Sequence, residues 1–288
     1  MNIGTLEEHY RLELAPLYES DEAKTLFSLA AEQILALSAS KLMVKKDEAV
    51  SFINMQKFLS ILNDLQIGKP IQHILGEAHF YGLVFKVNEN VLIPRPETEE
   101  LVDWIISAYG KQGSINNFEP KKLSILDIGT GSGCIPITLK KHLSNTKVSV
   151  LDISVDAIAV AKQNARQIGV EINFIAADIL TFKTEEKFDI VVSNPPYIRD
   201  LEKDEMHNNV LLHEPHLALF VSNENPLIFY KAIADFAKTN LKPNGELFFE
   251  INEYLGKETV NMLAAKGFIN IELRKDMQGK DRMVKAGI

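Results

Sequence analysis

A chain of 288 residues, 46% hydrophobic and 24% charged, has the composition of an ordinary soluble globular protein, with room for about two domains or one large α/β unit. Its 39 acidic residues outnumber 31 lysines and arginines, and a formal net charge of −8 argues against a protein whose affinity comes mainly from nucleic-acid phosphates. The lone cysteine, Cys134, excludes an intrachain disulfide and a cysteine-based zinc site. The opening residues Met1 to Glu8 carry early acids and no apolar run suited to a signal peptide, and no stretch approaches the ~18 consecutive apolar residues of a membrane span. A cytoplasmic protein is expected.

Residues 1–70 read as helices. Leu26, Ala30, Ile34 and Leu37 recur at helical spacing, as do Phe52, Met55, Leu59 and Leu62, until Gly68-Lys69-Pro70 stops the pattern. Seven basic and ten acidic residues give this segment a net charge of −3, so it carries no basic stripe for DNA. Residues 71–93 change character: Phe80 to Val87 is aromatic and β-branched, and Asn88-Glu89-Asn90 supplies a turn before Val91-Leu92-Ile93, which together predict a hairpin. Pro96 suits a first helical turn, where its missing N–H costs nothing, and the helix after it carries Leu101, Trp104 and Ile105 on one face.

From Ser124 strands and helices alternate. The strand candidates are 125–128, 148–153, 172–176, 188–193 and 246–251; helices fall at 134–143, 155–168, 226–241 and 257–265. Such alternation predicts a mostly parallel sheet covered by helices on both faces. The tail differs, with 269–273 and 283–286 flanking Met277-Gln278-Gly279-Lys280 as an antiparallel hairpin.

The first of these strands ends in Asp127-Ile128-Gly129-Thr130-Gly131-Ser132-Gly133. Alternating glycines let the backbone turn sharply and approach a ligand without a Cβ in the way, and the next helix offers unpaired N–H groups at its start. The spacing departs from the dinucleotide fingerprint, whose third glycine would fall on Cys134 or Pro136. Packing against an adenosyl and amino-acid moiety fits better than a pyrophosphate cradle. Asp152 ends the second strand, where a carboxylate accepts hydrogen bonds from both ribose hydroxyls; the plainer reading makes it a helix cap. Asp178 and Ile179 end the third strand, placed to meet the amine and the ring of adenine.

The fourth strand runs straight into Asn194-Pro195-Pro196-Tyr197. Two prolines remove two backbone donors and leave carbonyls that need partners, and the Asn side chain adds another acceptor. A substrate –NH₂ can donate to the Asn194 oxygen and the Pro195 carbonyl together while a planar group lies on Tyr197. That arrangement suits methyl transfer to an amide or amine nitrogen from S-adenosylmethionine, leaving S-adenosylhomocysteine. The tetrapeptide alone does not choose between adenine and glutamine.

Together these residues resemble the protein-(glutamine-N5) methyltransferases that act on peptide chain release factors (the PrmC/HemK family). The likeness runs along nearly the whole chain. Besides Asp127 to Gly133 and Asn194 to Tyr197, it rests on Ile74-Leu75-Gly76-Glu77, on Ile93-Pro94-Arg95-Pro96-Glu97-Thr98-Glu99, and on Gly279-Lys280-Asp281-Arg282, with Lys where His is commoner. The resemblance implies a Rossmann-like class I methyltransferase domain at 94–288, with a seven-stranded mostly parallel α/β sheet and an antiparallel C-terminal hairpin. It also implies a helical substrate-recognition domain at 1–70 joined by a β-hairpin linker at 71–93. Gly129, Thr130, Gly131, Ser132, Gly133, Asp152, Asp178, Ile179 and Asn194 would bind the cofactor. Asn194, Pro195, Pro196 and Tyr197 would grip the glutamine of a Gly-Gly-Gln motif in a class 1 release factor, with Asn194, Pro195 and Tyr197 as the catalytic set. No metal, membrane or direct nucleic-acid contact is expected; His207, His213 and His216 lack the spacing of a metal site and read as surface residues of a long loop from Ile198 to Asn225. The rival readings are a ribosomal-protein glutamine methyltransferase, an adenine-N6 methyltransferase, which would want a basic target-recognition region, and a non-catalytic release-factor binder.

Overall fold

In the computed structural model, which describes residues 1–110 and 122–288, the chain separates into two units. One comprises Met1–Glu77 with His207–His213, the other Ala78–Met206 with Glu214–Ile288. The first is helical: α1 (Ile3–Leu14), α2 (Ser20–Leu35), α3 (Ala39–Val44), α4 (Phe52–Gln66) and α5 (Ile71–Leu75). Asn2 and Thr5 cap α1 reciprocally, each side chain accepting the other's backbone N–H at 2.8 and 3.0 Å. The core centres on Phe27, which meets Tyr10 edge-on at 5.2 Å and stacks on Phe58 at 5.6 Å. The Tyr10 hydroxyl donates to the Phe58 carbonyl, so this buried polar atom is satisfied. The buried face of α4 is Phe58, Ile61, Leu62 and Leu65, rotated from the expected stripe. Phe52 is 77% exposed, because Ser51 caps the helix just before it and leaves it in the first turn, ahead of the packed aromatics.

The second unit opens with β1 (Glu77–Phe80) and β2 (Leu83–Lys86), a two-stranded sheet. Its turn is Tyr81-Gly82, both with positive φ (49° and 74°), as a two-residue hairpin loop requires. The turn predicted at Asn88 to Asn90 does form, the Val91 N–H donating to the Asn88 carbonyl at 3.1 Å, but it leads into irregular backbone rather than a second strand. Val91 and Ile93 are buried there without pairing.

Then come α6 (Pro96–Tyr109), β3 (Leu123–Ile128), α7 (Cys134–His142), β4 (Thr146–Asp152), α8 (Val155–Ile168), β5 (Asn173–Ala176), β6 (Phe188–Ser193), β7 (Ile198–Arg199), α9 (Asn208–His213), α10 (His216–Leu219), β8 (Phe220–Val221), α11 (Ile228–Asn240), β9 (Leu241–Glu250), α12 (Gly256–Ala265), β10 (Ile269–Lys275) and β11 (Asp281–Gly287). The segment from Ile198 to Asn225, read as a loop, thus holds short elements. β7 and β8 pair in parallel, and α9 groups with the helical unit, where Asn209 Nδ2 donates to the Tyr18 hydroxyl at 3.3 Å.

Seven strands form one sheet in the order β10-β11-β9-β6-β3-β4-β5, parallel except for β11, which runs antiparallel to both neighbours. This is the Rossmann-like architecture that the resemblance implies, with the mostly parallel sheet that the alternating pattern predicts and the antiparallel hairpin that the tail predicts. Neighbouring strand residues face opposite layers: Ile125, Ile190, Val192 and Phe248 pack with Leu101, Trp104 and Ile105 of α6, while Leu126, Val191 and Phe249 pack with Tyr230 and Ile233 of α11. Strand order reverses between β3 and β6, and in open parallel sheets ligands bind outside the carboxyl ends of the strands at such a reversal. The glycine loop leaves β3 and the Asn194 tetrapeptide leaves β6, on adjacent strands of that point.

Candidate active site

All three glycines of the loop take positive φ, 76° at Gly129, 53° at Gly131 and 81° at Gly133. Gly133 has a second reason to lack a side chain: a Cβ there would stand 2.9 Å from Ile137 Cδ1 and 3.1 Å from Ala161 Cβ. The loop is pinned from two sides. Asp152, buried at the end of β4, accepts the Gly131 N–H at 2.9 Å on one oxygen and the Ser154 N–H at 2.8 Å on the other. Asn164 of α8 donates to the Ser132 and Lys86 carbonyls, both at 2.9 Å, and accepts the Lys86 N–H at 2.7 Å, so one buried amide ties the loop to the hairpin. Its part was not legible from spacing.

Asp127, at the end of β3, is fully buried, and neither carboxyl oxygen makes a hydrogen bond of ordinary geometry. Burial pushes this carboxyl up to about 7; the Thr130 hydroxyl opposes the shift and the negative charge of Asp152 adds to it. A carboxyl protonated more readily when folded than when unfolded contributes full stability below the ordinary value of 3.8, and that stability is lost as pH rises to about 7. Without ligand, Asp127→Asn is therefore expected to melt at a higher temperature than the parent chain at pH 8 and at the same temperature near pH 4. Equal melting differences at both pH values in differential scanning calorimetry would contradict this.

After β6, Ser193 Oγ donates to the Ile128 carbonyl at 2.6 Å and locks the start of the tetrapeptide to the end of β3. Asn194 Nδ2 donates to Thr98 Oγ1 at 3.3 Å, Thr98 Oγ1 donates to Glu250 Oε2 at 2.6 Å, and the Tyr197 hydroxyl donates to Glu250 Oε1 at 3.1 Å. Asn252 Nδ2 holds the Tyr197 carbonyl at 3.0 Å. Burial pushes the Tyr197 hydroxyl well above its ordinary value and the Glu250 carboxyl upward; at Glu250 the Thr98 hydroxyl, the Arg282 charge and the Tyr197 hydroxyl pull back down.

At the carboxyl ends of β3, β4, β5 and β6 lies a cavity of about 390 Å³. Gly129, Gly131, Asp152, Asp178, Ile179, Asn194, Pro195 and Pro196 line it. Thr130, Ser132, Gly133 and Tyr197, expected in the site from the sequence, are not part of that lining. The Thr130 and Ser132 hydroxyls are buried, and neither makes a hydrogen bond of ordinary geometry. Asp178 caps its own turn through the Leu180 N–H at 2.9 Å. Part of the wall comes from residues that the motifs do not mark, among them Val91, Leu92, Phe229 and Ile233. Among the described residues no cluster of His, Cys, Asp and Glu could hold a metal, and no helix is long and apolar enough to cross a membrane.

Residues 112–221 match the methyltransferase small domain family. Over 94% of this chain and 94% of the other, the sequence is 49% identical to a release factor glutamine methyltransferase of Flavobacterium psychrophilum. One of the same name from Bacteroides thetaiotaomicron is 39% identical over 99% of both chains. The chain belongs to the release factor glutamine methyltransferase family. It is thus an enzyme of the methyltransferase class, as the glycine loop and tetrapeptide imply. The crystal structure of a methyltransferase from Pyrococcus furiosus, 16% identical, shares the fold over 82% of this chain and 98% of that one with a TM-score of 0.52.

Family membership gives meaning to the Ile93 to Glu99 segment, whose anchoring now has a physical basis. Buried Glu214 accepts the Ile93 N–H at 3.1 Å and the Arg95 guanidinium at 2.5 Å, fixing the chain just before α6 and so the position of Thr98. His207 and His216 are exposed, and the His213 ring meets the Ile67 carbonyl at 3.1 Å inside the helical unit.

Proposed function

We propose that this methyltransferase transfers a methyl group from S-adenosylmethionine to the side-chain amide nitrogen of the glutamine in the Gly-Gly-Gln motif of a class 1 peptide chain release factor. The observation that carries the substrate is likeness along nearly the entire chain, helical unit included, to relatives bearing that name. The cofactor reading is supported by the fit of the cavity: a glycine loop with no Cβ facing it, a buried carboxylate at the end of β4, and about 390 Å³ between the strand ends.

When bound, the sulfonium supplies an electrophilic methyl group. The protein's own share is alignment and desolvation of the acceptor nitrogen. Asn194 Oδ1 and the Pro195 carbonyl accept the two amide hydrogens, which fixes the nitrogen in the plane they define and directs its lone pair. Tyr197 offers its ring to the amide while its hydroxyl is engaged by Glu250. Gly129 to Gly133 and Asp152 hold the amino-acid and ribose portions of the cofactor, and Asp178 with Ile179 its adenine, Ile179 through an aliphatic face. The helical unit serves substrate recognition, and the reaction takes place in the cytoplasm where release factors work.

The test is methyl transfer from labelled S-adenosylmethionine to purified release factor carrying either Gln or Ala in its Gly-Gly-Gln motif. Label is expected on the Gln form alone. Equal labelling of both would overturn the glutamine assignment, and labelling of RNA or DNA but not release factor would favour the adenine reading.

A further inference from the structure

The tetrapeptide's amide is set by groups that never touch it in sequence. Asn194, Thr98, Glu250 and Tyr197 form a closed polar chain, drawn from the end of β6, the first turn of α6 and the end of β9. Thr98 is 3% exposed and Glu250 1%, so no water competes for their hydrogen bonds.

Donor and acceptor counting gives this chain a direction. An ionised carboxylate only accepts, and both Glu250 oxygens are engaged, one by Thr98 and one by Tyr197. Thr98 has a single hydroxyl hydrogen, spent on Glu250. Towards Asn194 it can then only accept, and the donating end of an Asn side chain is its NH₂. Oδ1 must therefore point the other way. A side-chain amide is nearly symmetric in shape, and turned over it would present two hydrogens to a substrate that itself brings hydrogens.

We propose that Thr98 and Glu250 are positioning residues for methyl transfer, which impose on Asn194 the orientation that presents its oxygen to the acceptor amide. The proposal rests on Asn194 gripping that amide as described above. Neither residue meets the reacting atoms; each acts through Asn194, and Glu250 also through the Tyr197 ring. Arg282 belongs to the same arrangement from the C-terminal hairpin. Its Nε donates to Asp276 Oδ2 at 3.1 Å, and its charge favours the ionised form of Glu250.

Three variants test the direction of the chain. Thr98→Val keeps the shape and removes both hydrogen bonds, so Asn194 is free to turn over. Thr98→Ser restores both. Glu250→Leu keeps roughly the volume and removes both acceptor oxygens, so the Thr98 hydroxyl is free to donate to Asn194 instead. With release factor and labelled S-adenosylmethionine, kcat is expected to fall about tenfold to a hundredfold in Thr98→Val and Glu250→Leu. Thr98→Ser should stay within about threefold of the parent, and the cofactor dissociation constant of all three, by calorimetry, should stay within about threefold. Parental kcat in Thr98→Val, or a Ser variant as slow as the Val variant, would overturn the proposal. Should Thr98→Val lose cofactor binding, Glu250→Leu decides, and parental turnover there overturns it equally. If the parent chain itself fails to label the glutamine, the functional reading falls instead, so the two failures are distinguishable.

Discussion

Asn194→Ala is expected to lower kcat for release factor methylation on the order of 10³-fold while cofactor affinity changes by no more than about threefold. The asymmetry follows from where the residue sits. Asn194 helps line the cavity, and an alanine keeps the backbone of that wall in place, because Ser193 still ties the strand end to Ile128 and Pro195 still fixes the next φ. What disappears is the Asn194 oxygen, and with it one of the two hydrogen bonds proposed to immobilise the acceptor amide. A nitrogen held by the Pro195 carbonyl alone rotates, and alignment is most of what the protein contributes to this reaction. Thr98 then loses a donor but keeps Glu250, so no buried charge is stranded and the fold should survive. Stopped single-turnover assays at saturating cofactor, with calorimetry on the same sample, measure both quantities. A loss of cofactor affinity that matches the loss of rate would mean that Asn194 serves the cofactor rather than the acceptor.

Much of the sheet was legible because its signals are local. Ile125 to Ile128 and Phe188 to Ser193 are short apolar runs closed by glycine and by proline, and burial on both faces is what such runs mean. The same locality explains the glycine loop, where backbone conformation and side-chain absence are one property. The hairpin was misplaced for the complementary reason. Asn88-Glu89-Asn90 is a strong turn signal and does turn, whereas the hairpin's own turn demands positive φ at Tyr81, which no propensity suggests. On α4, helical spacing alone could not say which turn meets Tyr10 and Phe27, and Phe52 was counted into a face it does not join.

The supporting half of the site was illegible. Thr98 and Glu250 meet across 152 residues, and Ile93 and Glu214 across 121. Periodicity reports burial; it carries nothing about which buried donor finds which acceptor. One sign was present all the same. Glu250 is a carboxylate at the carboxyl end of an apolar strand, the end of the sheet where the site lies, and an acid placed there has to be satisfied by partners. Asn164 shows the other limit: inside a helix of ordinary pattern, nothing but the fold distinguishes a solvated amide from one that clamps a loop to a strand.

The second large effect is expected at Asp152, and it should be the mirror image of the first. Asp152→Ala is predicted to raise the cofactor dissociation constant on the order of 10²- to 10³-fold, the size of losing about two hydrogen bonds to a buried carboxylate. Each oxygen already accepts one backbone N–H, from Gly131 and from Ser154, and each keeps a further lone pair for a ribose hydroxyl. If it receives the ribose as proposed, the residue shapes the loop and holds the ligand with the same two atoms. Asp152→Asn is not a mild version, since its NH₂ would face either the Gly131 or the Ser154 N–H, donor against donor, in a site with little water. It should cost at least about tenfold in affinity. At cofactor concentrations high enough to saturate either variant, kcat should return to within a few-fold of the parent, because the acceptor grip at Asn194 and Pro195 is untouched. Calorimetry and saturation kinetics separate the outcomes: a dissociation constant within about threefold of the parent would reduce Asp152 to a cap for α8, and a kcat that stays low at saturation would mean the loop also positions the methyl donor.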